Sequence, residues 1–264
     1  MSDSSLAGKT ALVTGASSGL GVDIARELAR RGCHLVLVAR REDRLKQVQA
    51  ELQGQHGIRA MTVALDLGDP QAPQILYDHL KTQKTPVDLL VNNAGLGVYG
   101  TELDIPWERT RQLLMLDIVA LTHLTKLFAR DMVARGNGYI LQVASAAAFQ
   151  PVPTYAAYAA AKAYVRSFSQ ALNVELQGTG VSCTALCPGV TATEFFDAAG
   201  DKGNARLRRI LMMSSPQVAA VGVRGMLERR SSVVAGWLNW LFTLLTGISP
   251  DWLNARIARE LFRN

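Results

Sequence analysis

The chain has 264 residues, 48% of them hydrophobic and 19% charged, with a formal net charge of +6 and a pI near 9.4. No Pro/Gly/Ser-rich linker or internal repeat interrupts it, so one α/β domain spanning 1–264 is expected rather than two small ones. Three cysteines and four scattered histidines argue against a disulfide framework and a Cys/His metal site, and no metal is expected. Basic residues alternate with acids, as in Arg40-Arg-Glu-Asp-Arg44, which suits solvated helix faces rather than nucleic acid. Met1-Ser-Asp-Ser-Ser has no basic region followed by an apolar one, so a reducing, cytoplasmic setting is expected.

In chain order, a strand-like run at 10–14 leads into Gly15-Ala-Ser17-Ser18-Gly19-Leu20-Gly21 and then a helical apolar pattern over 19–31. Strand, glycine turn and helix form the context for dinucleotide binding. Glycines let the backbone approach a pyrophosphate, and a helix N-terminus offers it N–H groups and a positive dipole. Further strands are expected at 34–39, 59–65, 87–91, 138–144 and 181–187, and further helices at 41–53, 70–83, 107–135 and 155–177. Runs such as Leu35-Val-Leu-Val38 are apolar throughout, as in parallel strands covered on both faces. The alternation predicts a doubly wound sheet, with ligands outside the strands' carboxyl ends. Gly15, Asp66, Asn93, Ser145 and Pro188 all fall just after predicted strands, so they should converge on one crevice.

Tyr158 and Lys162 stand four apart in Tyr-Ala-Ala-Ala-Lys, and Ser145 lies thirteen positions earlier. A helix puts i and i+4 on one face, so the ammonium should sit beside the phenol and pull its pKa down toward working pH. Such a phenol can give a proton to a carbonyl oxygen or take one from an alcohol, and Ser145 can hold the same oxygen. Tyr155 and Tyr164 read as bystanders, and Ser167 and Ser169 as helix surface. At the end of the second strand stands Ala39 and then Arg40, with no acid to repel a 2′-phosphate. Arg40 can clamp such a phosphate, or merely start a solvated helix.

Thr14-Gly15-Ala-Ser-Ser-Gly19-Leu-Gly21, Asn92-Asn93-Ala94-Gly95, Ser145, Tyr158-x-x-x-Lys162 and Pro188-Gly189 occur in the order typical of the short-chain dehydrogenase/reductase family. From about Ala7 to Thr193 the chain resembles that family. The resemblance implies a Rossmann-like fold with a seven-stranded, mostly parallel sheet of order 3-2-1-4-5-6-7. It implies hydride transfer between NADP(H) and a carbonyl or alcohol, with Ser145, Tyr158 and Lys162 catalytic. Lys162 would also hold the nicotinamide ribose. Cofactor contacts would come from Gly15, Ser17, Ser18, Gly19, Leu20, Gly21, Arg40, Asp66, Leu67, Asn93, Ala94, Gly95, Tyr158, Lys162, Pro188, Gly189, Val190, Thr191 and Thr193. Asp66 and Pro188-Gly189 can equally be turn residues. The family usually has Asn where this chain has Asp117, and its backbone carbonyl holds a water near the Lys. Asp117, counted with the catalytic residues, is expected to occupy that position, keep the backbone role and modulate proton transfer, since an anion there keeps Lys162 charged but opposes phenolate formation; the alternatives are a protonated Asp117 or a helix residue facing elsewhere. The family's long helices often build dimers or tetramers, which implies a homo-oligomer.

Over 194–215, Phe195, Phe196, Leu211, Met212 and Met213 surround Gly200-Asp-Lys-Gly203, a pattern for a substrate lid or plain packing. Residues 233–264 read as an apolar helical C-terminal extension. Its run 233–248 is too short and interrupted to span a bilayer. It can be a buried helix over the substrate entrance, a subunit interface or peripheral membrane contact, and the first implies a hydrophobic substrate. Two other functions stand beside the oxidoreductase: a catalytically silent cofactor sensor, or a membrane-surface lipid-handling protein.

Overall fold

A computed structural model describes residues 6–192, 199–200 and 212–261. Seven parallel strands form one sheet: β1 (Thr10–Thr14), β2 (His34–Ala39), β3 (Ala60–Ala64), β4 (Leu89–Asn92), β5 (Gly138–Val143), β6 (Val181–Cys187) and the edge strand Ser232–Val234. Their order is β3-β2-β1-β4-β5-β6 and then Ser232–Val234. Strand residues alternate between two cores. Ala11, Val13, Leu35 and Leu37 face α1 (Gly19–Arg30), α2 (Glu42–His56) and the helix Ser215–Leu227. Leu12, Val36, Val38 and Leu90 face α3 (Ala72–Thr82) and α5 (Leu121–Ala134). Burial on both faces is why Leu35–Val38 of β2 and Leu89–Val91 of β4 are apolar throughout.

The seventh strand corrects one expectation. Val233 and Val234 begin no helix; with Ser232 they pair with Ala185–Cys187 at the sheet edge. Two adjacent valines suit an extended backbone. Gly236, at φ 89°, then turns the chain into the helix Trp237–Ile248, followed by Asp251–Leu261.

The expected helix 107–135 is a composite of α4 (Trp107–Leu114), a wider π turn at Met115–Ala120 and α5. A π turn adds one residue per turn and rotates the side chains beyond it. Here Asp117 lies inside that turn, fully buried. Helix 107–134 is long and apolar enough to cross a membrane, but Leu124, Phe128 and Met132 bury one face of it in the core. The remaining long helix is α6 (Ala156–Glu175), which follows a short 3-10 turn at Ala146–Phe149. Thr193, Phe195, Phe196, Leu211 and most of the lid pattern lie outside the described residues.

All three cysteines are free and buried, and burial pushes Cys33 and Cys183 up to about 12 and Cys187 up to about 11. Thiols held protonated in this way are inert packing groups.

Candidate active site

At the carboxyl ends of β1, β2, β4 and β5 the sheet opens into a cavity of about 930 Å³. Gly15 sits at its base with φ 68°, and a Cβ there would come within 2.9 Å of the Ala94 backbone. Only glycine satisfies both demands. Thr14 ties this turn to β4: its Oγ1 accepts from the Asn93 and Ala94 N–H groups at 2.9 Å each. The Asn93 amide donates back to the Thr14 carbonyl at 2.9 Å. Asn93 therefore holds the glycine turn in shape as well as lining the cavity.

Ser17, Ser18, Gly19, Leu20, Ala94 and Gly95 line the same wall, as do Arg40, Asp66 and Leu67 at the β2 and β3 ends. Gly21 does not. It packs inward against the Gly15 carbonyl, where a side chain has no space, so its part is to seat α1. Asp66 Oδ1 accepts from the Gly68 N–H at 3.0 Å, an Asx turn, and its other oxygen lies 3.9 Å from Arg40. Arg41, which sequence reasoning passed over, also lines the cavity and donates to Ser17 Oγ at 3.3 Å.

At the opposite end, Ser145 follows β5 and caps the 3-10 turn, its Oγ accepting from the Ala147 N–H at 3.1 Å. Its side chain also hydrogen-bonds the Tyr158 phenol. Tyr158 and Lys162 share one face of α6, with Nζ 5.6 Å from the phenol ring centroid. Pro188, Gly189, Val190 and Thr191 form the facing wall.

Behind Lys162 lies a buried ion pair. Nζ stands 2.9 Å from Asp117 Oδ2 and donates to the Val143 carbonyl at 3.1 Å. Asp117 Oδ1 accepts from the Leu96 N–H at 2.8 Å. Gly95 passes so close that a Cβ would lie 3.2 Å from both Oδ2 and Nζ. Asp117 thus reaches the site through Lys162 and the Gly95–Leu96 backbone, without lining the cavity.

These environments set the proton affinities. Burial works to lower the Lys162 pKa, but the Asp117 carboxylate and then Tyr158 outweigh it, so Lys162 sits above the ordinary lysine value. Burial pushes the Asp117 carboxyl up, against the pull of Lys162 and the Leu96 N–H. Tyr158 corrects an expectation: burial of the phenol raises its pKa more than Lys162 and Ser145 lower it, and Asp117 adds to the rise. The ammonium is where the spacing puts it, but its effect is partly cancelled by its own counter-ion.

Tyr155 is a wall rather than a bystander. It is buried, lines the cavity and packs edge-on against Tyr158 and Tyr99, with centroids 5.8 Å and 5.3 Å away. Ser169 is buried, its hydroxyl donating to the Val165 carbonyl, whereas Tyr164 is exposed and stacked on Phe168. Arg109, Gln112, Gln150, Val152, Asn239 and Phe242 are among the lining residues that the sequence did not single out.

The short chain dehydrogenase family profile matches residues 9–203. A very-long-chain 3-oxoacyl-CoA reductase of Rattus norvegicus is 34% identical over 193 residues, 71% of this chain and 61% of that protein. The chain spans about three fifths of the length of such curated relatives. Among solved structures, a short-chain dehydrogenase from Sphingobium yanoikuyae in complex with NADPH superposes with a TM-score of 0.80 at 30% identity, covering 92% of this chain and 96% of that one. A short chain dehydrogenase/reductase from Burkholderia phymatum in complex with NAD gives 0.82 at 26% identity, covering 93% and 94%. With the fold, the motif order and these likenesses in agreement, the chain belongs to the short-chain dehydrogenase/reductase family of oxidoreductases.

Proposed function

We propose that this oxidoreductase uses NADP(H) to interconvert an apolar carbonyl compound and its alcohol, with Tyr158 as the acid/base. The observation that carries this reading is the meeting of Ser145, Tyr158 and Lys162 on one wall of the cavity that also holds the glycine turn.

The residues fit a nicotinamide dinucleotide. Gly15 leaves the backbone bare, and α1 begins at Gly19 on the cavity wall, so its N-terminal N–H groups suit a pyrophosphate. At the far end, beside the small Ala39, Arg40, Arg41 and Ser17 offer guanidinium and hydroxyl donors to a 2′-phosphate. When bound, the nicotinamide supplies or accepts the hydride. Tyr158 Oη gives its proton to the substrate oxygen as that oxygen gains charge. Ser145 Oγ, already oriented by the Ala147 N–H, donates to the same oxygen. One such donor contributes about 3 kcal/mol to the transition state. The Lys162 ammonium favours the phenolate left behind.

The raised Tyr158 pKa supports carbonyl reduction as the working direction. Below its pKa the phenol carries the proton that reduction consumes, and raising the pKa extends that range upward. Reduction is therefore expected to be flat through neutral pH and to fall only on the alkaline side, whereas alcohol oxidation climbs with pH. Val152, Tyr155 and Phe242 on the cavity wall, and the rat relative's very-long-chain acyl substrate, support an apolar ketone or acyl chain. Exposed Val119 and Val133 near α5, with Val174 on α6, support a homo-oligomer built on the long helices.

The test is NADPH and NADH oxidation against ketones and aldehydes graded by chain length and ring size. NADPH should be preferred, and efficiency should rise with apolar bulk. Arg41→Ala should raise the KM for NADPH by roughly tenfold or more, the worth of one charge-assisted contact, and leave that for NADH little changed. No turnover across the panel sinks the reading; equal use of both cofactors sinks its NADP part.

A further inference from the structure

The helix Trp237–Ile248 is turned inside out. Its protein-facing stripe is polar: Asn239, Thr243 and Thr246 are all buried, at 6% exposure each. Their polar atoms are satisfied locally. The Asn239 amide donates to the Ala235 carbonyl at 2.8 Å, and the Thr243 and Thr246 hydroxyls donate to carbonyls one turn back at 2.8 and 3.0 Å. Asn254, from the next helix, donates to the Thr246 carbonyl at 3.0 Å and locks the two helices together. The opposite stripe is apolar and open: Trp237 (73% exposed), Trp240, Leu241, Leu244, Leu245 and Ile248 (77%). Trp252 on the next helix, 60% exposed, extends it. A helix facing water puts its polar residues outward. This one buries them and shows solvent a contiguous apolar face of the kind that marks an interaction surface.

We propose that this face docks the protein onto the surface of an anionic lipid bilayer. Three features favour lipid over another protein surface. Three of the chain's four tryptophans lie on the patch, and tryptophan is the residue that prefers the membrane–water boundary. Twelve residues make about 18 Å of helix, too short to span about 30 Å of hydrocarbon but suited to lying in the interface plane. Charge is complementary as well. The stretch 231–250 carries no charge of either sign, so it sets no carboxylate against an anionic headgroup layer; the Arg256 guanidinium lies 5.3 Å from the Trp252 ring centroid at the rim, and the chain carries +6 overall. The inner face of the same helix sends Phe242 and Asn239 to the cavity wall, so a docked protein holds its cavity one helix thickness from the lipid.

The measurement is flotation of the full chain with phosphatidylcholine vesicles, with and without phosphatidylglycerol. It needs no turnover, so it stands or falls apart from the proposed chemistry. Wild type should float with vesicles, more with phosphatidylglycerol present, and its tryptophan emission should shift to the blue. Trp240→Gln/Leu244→Gln/Ile248→Gln touches only exposed positions and should keep the wild-type circular dichroism and melting curve. It should lower vesicle partitioning by about tenfold or more. Arg256→Gln should weaken the preference for phosphatidylglycerol by several-fold, the worth of one basic residue at the surface. Wild type staying in the soluble fraction with both vesicle types overturns the proposal, as does a triple variant that floats undiminished. It is overturned equally if the triple variant merely turns a dimer into a monomer with no vesicle binding in either form; a second copy of the chain then covers this face.

Discussion

Tyr158→Phe is expected to lower kcat for carbonyl reduction by roughly a thousandfold, within the span that a positioned proton donor contributes. The substitution removes one oxygen and little else. The ring keeps its edge-on contact with Tyr155 and its place over Lys162, both of which depend on carbon atoms. Stability and NADPH affinity should therefore change little, and the loss should fall on kcat and not on KM. Ser145→Ala serves as the companion. It removes the hydrogen bond to the phenol and the one accepted from Ala147, and should cost about a hundredfold in kcat. Steady-state kinetics with cofactor titration by tryptophan quenching separate these effects. A Tyr158→Phe enzyme within tenfold of wild type would remove the phenol from the proposed chemistry.

Much of this site was legible from spacing, because spacing controls what a regular element presents. Tyr158 and Lys162 fall on one face of α6 simply because they are four apart, and β2 and β4 announce themselves through the unbroken apolar runs Leu35–Val38 and Leu89–Val91. What was not legible depends on packing between elements. A three-residue edge strand, Ser232–Val234, has too few positions to show a period. The π turn at Met115–Ala120 leaves no compositional mark, yet it decides that Asp117 points inward. Arg40 and Arg41 are equivalent as letters; only the turn from β2 into α2 sends Arg41 to Ser17 and Arg40 toward Asp66. The direction of the Tyr158 shift escapes the sequence for the same reason. An i,i+4 neighbour can be counted in the sequence, but burial and a counter-ion forty-one positions away, at Asp117, cannot. Nor does the apolarity of 233–248 say which stripe faces out.

The Lys162–Asp117 pair yields the largest stability effect. Both groups are essentially removed from water, so each is tolerable only because of the other. Lys162→Met leaves a buried carboxylate held by one backbone N–H from Leu96, and should cost about 3–5 kcal/mol in denaturant unfolding at neutral pH. Adding Asp117→Asn to Lys162→Met removes the orphaned charge while keeping an acceptor for Leu96, and should recover a good part of that loss. If the double variant is no more stable than Lys162→Met alone, the pair is not electrostatically coupled. Asp117→Asn by itself asks the catalytic question. The carboxylate raises the Tyr158 pKa and holds Lys162 above its ordinary value, so removing it should lower both. While Lys162 keeps its proton, a lower Tyr158 pKa means the phenol loses its proton at a lower pH. The alkaline fall of the reduction profile should then begin earlier, and alcohol oxidation at a fixed neutral pH should gain. Superimposable pH–rate profiles for wild type and Asp117→Asn would confine Asp117 to a structural part. A shifted alkaline limb assigns it to positioning the proton: the carboxylate that the fold accepts, through the π turn, keeps the phenol loaded for reduction.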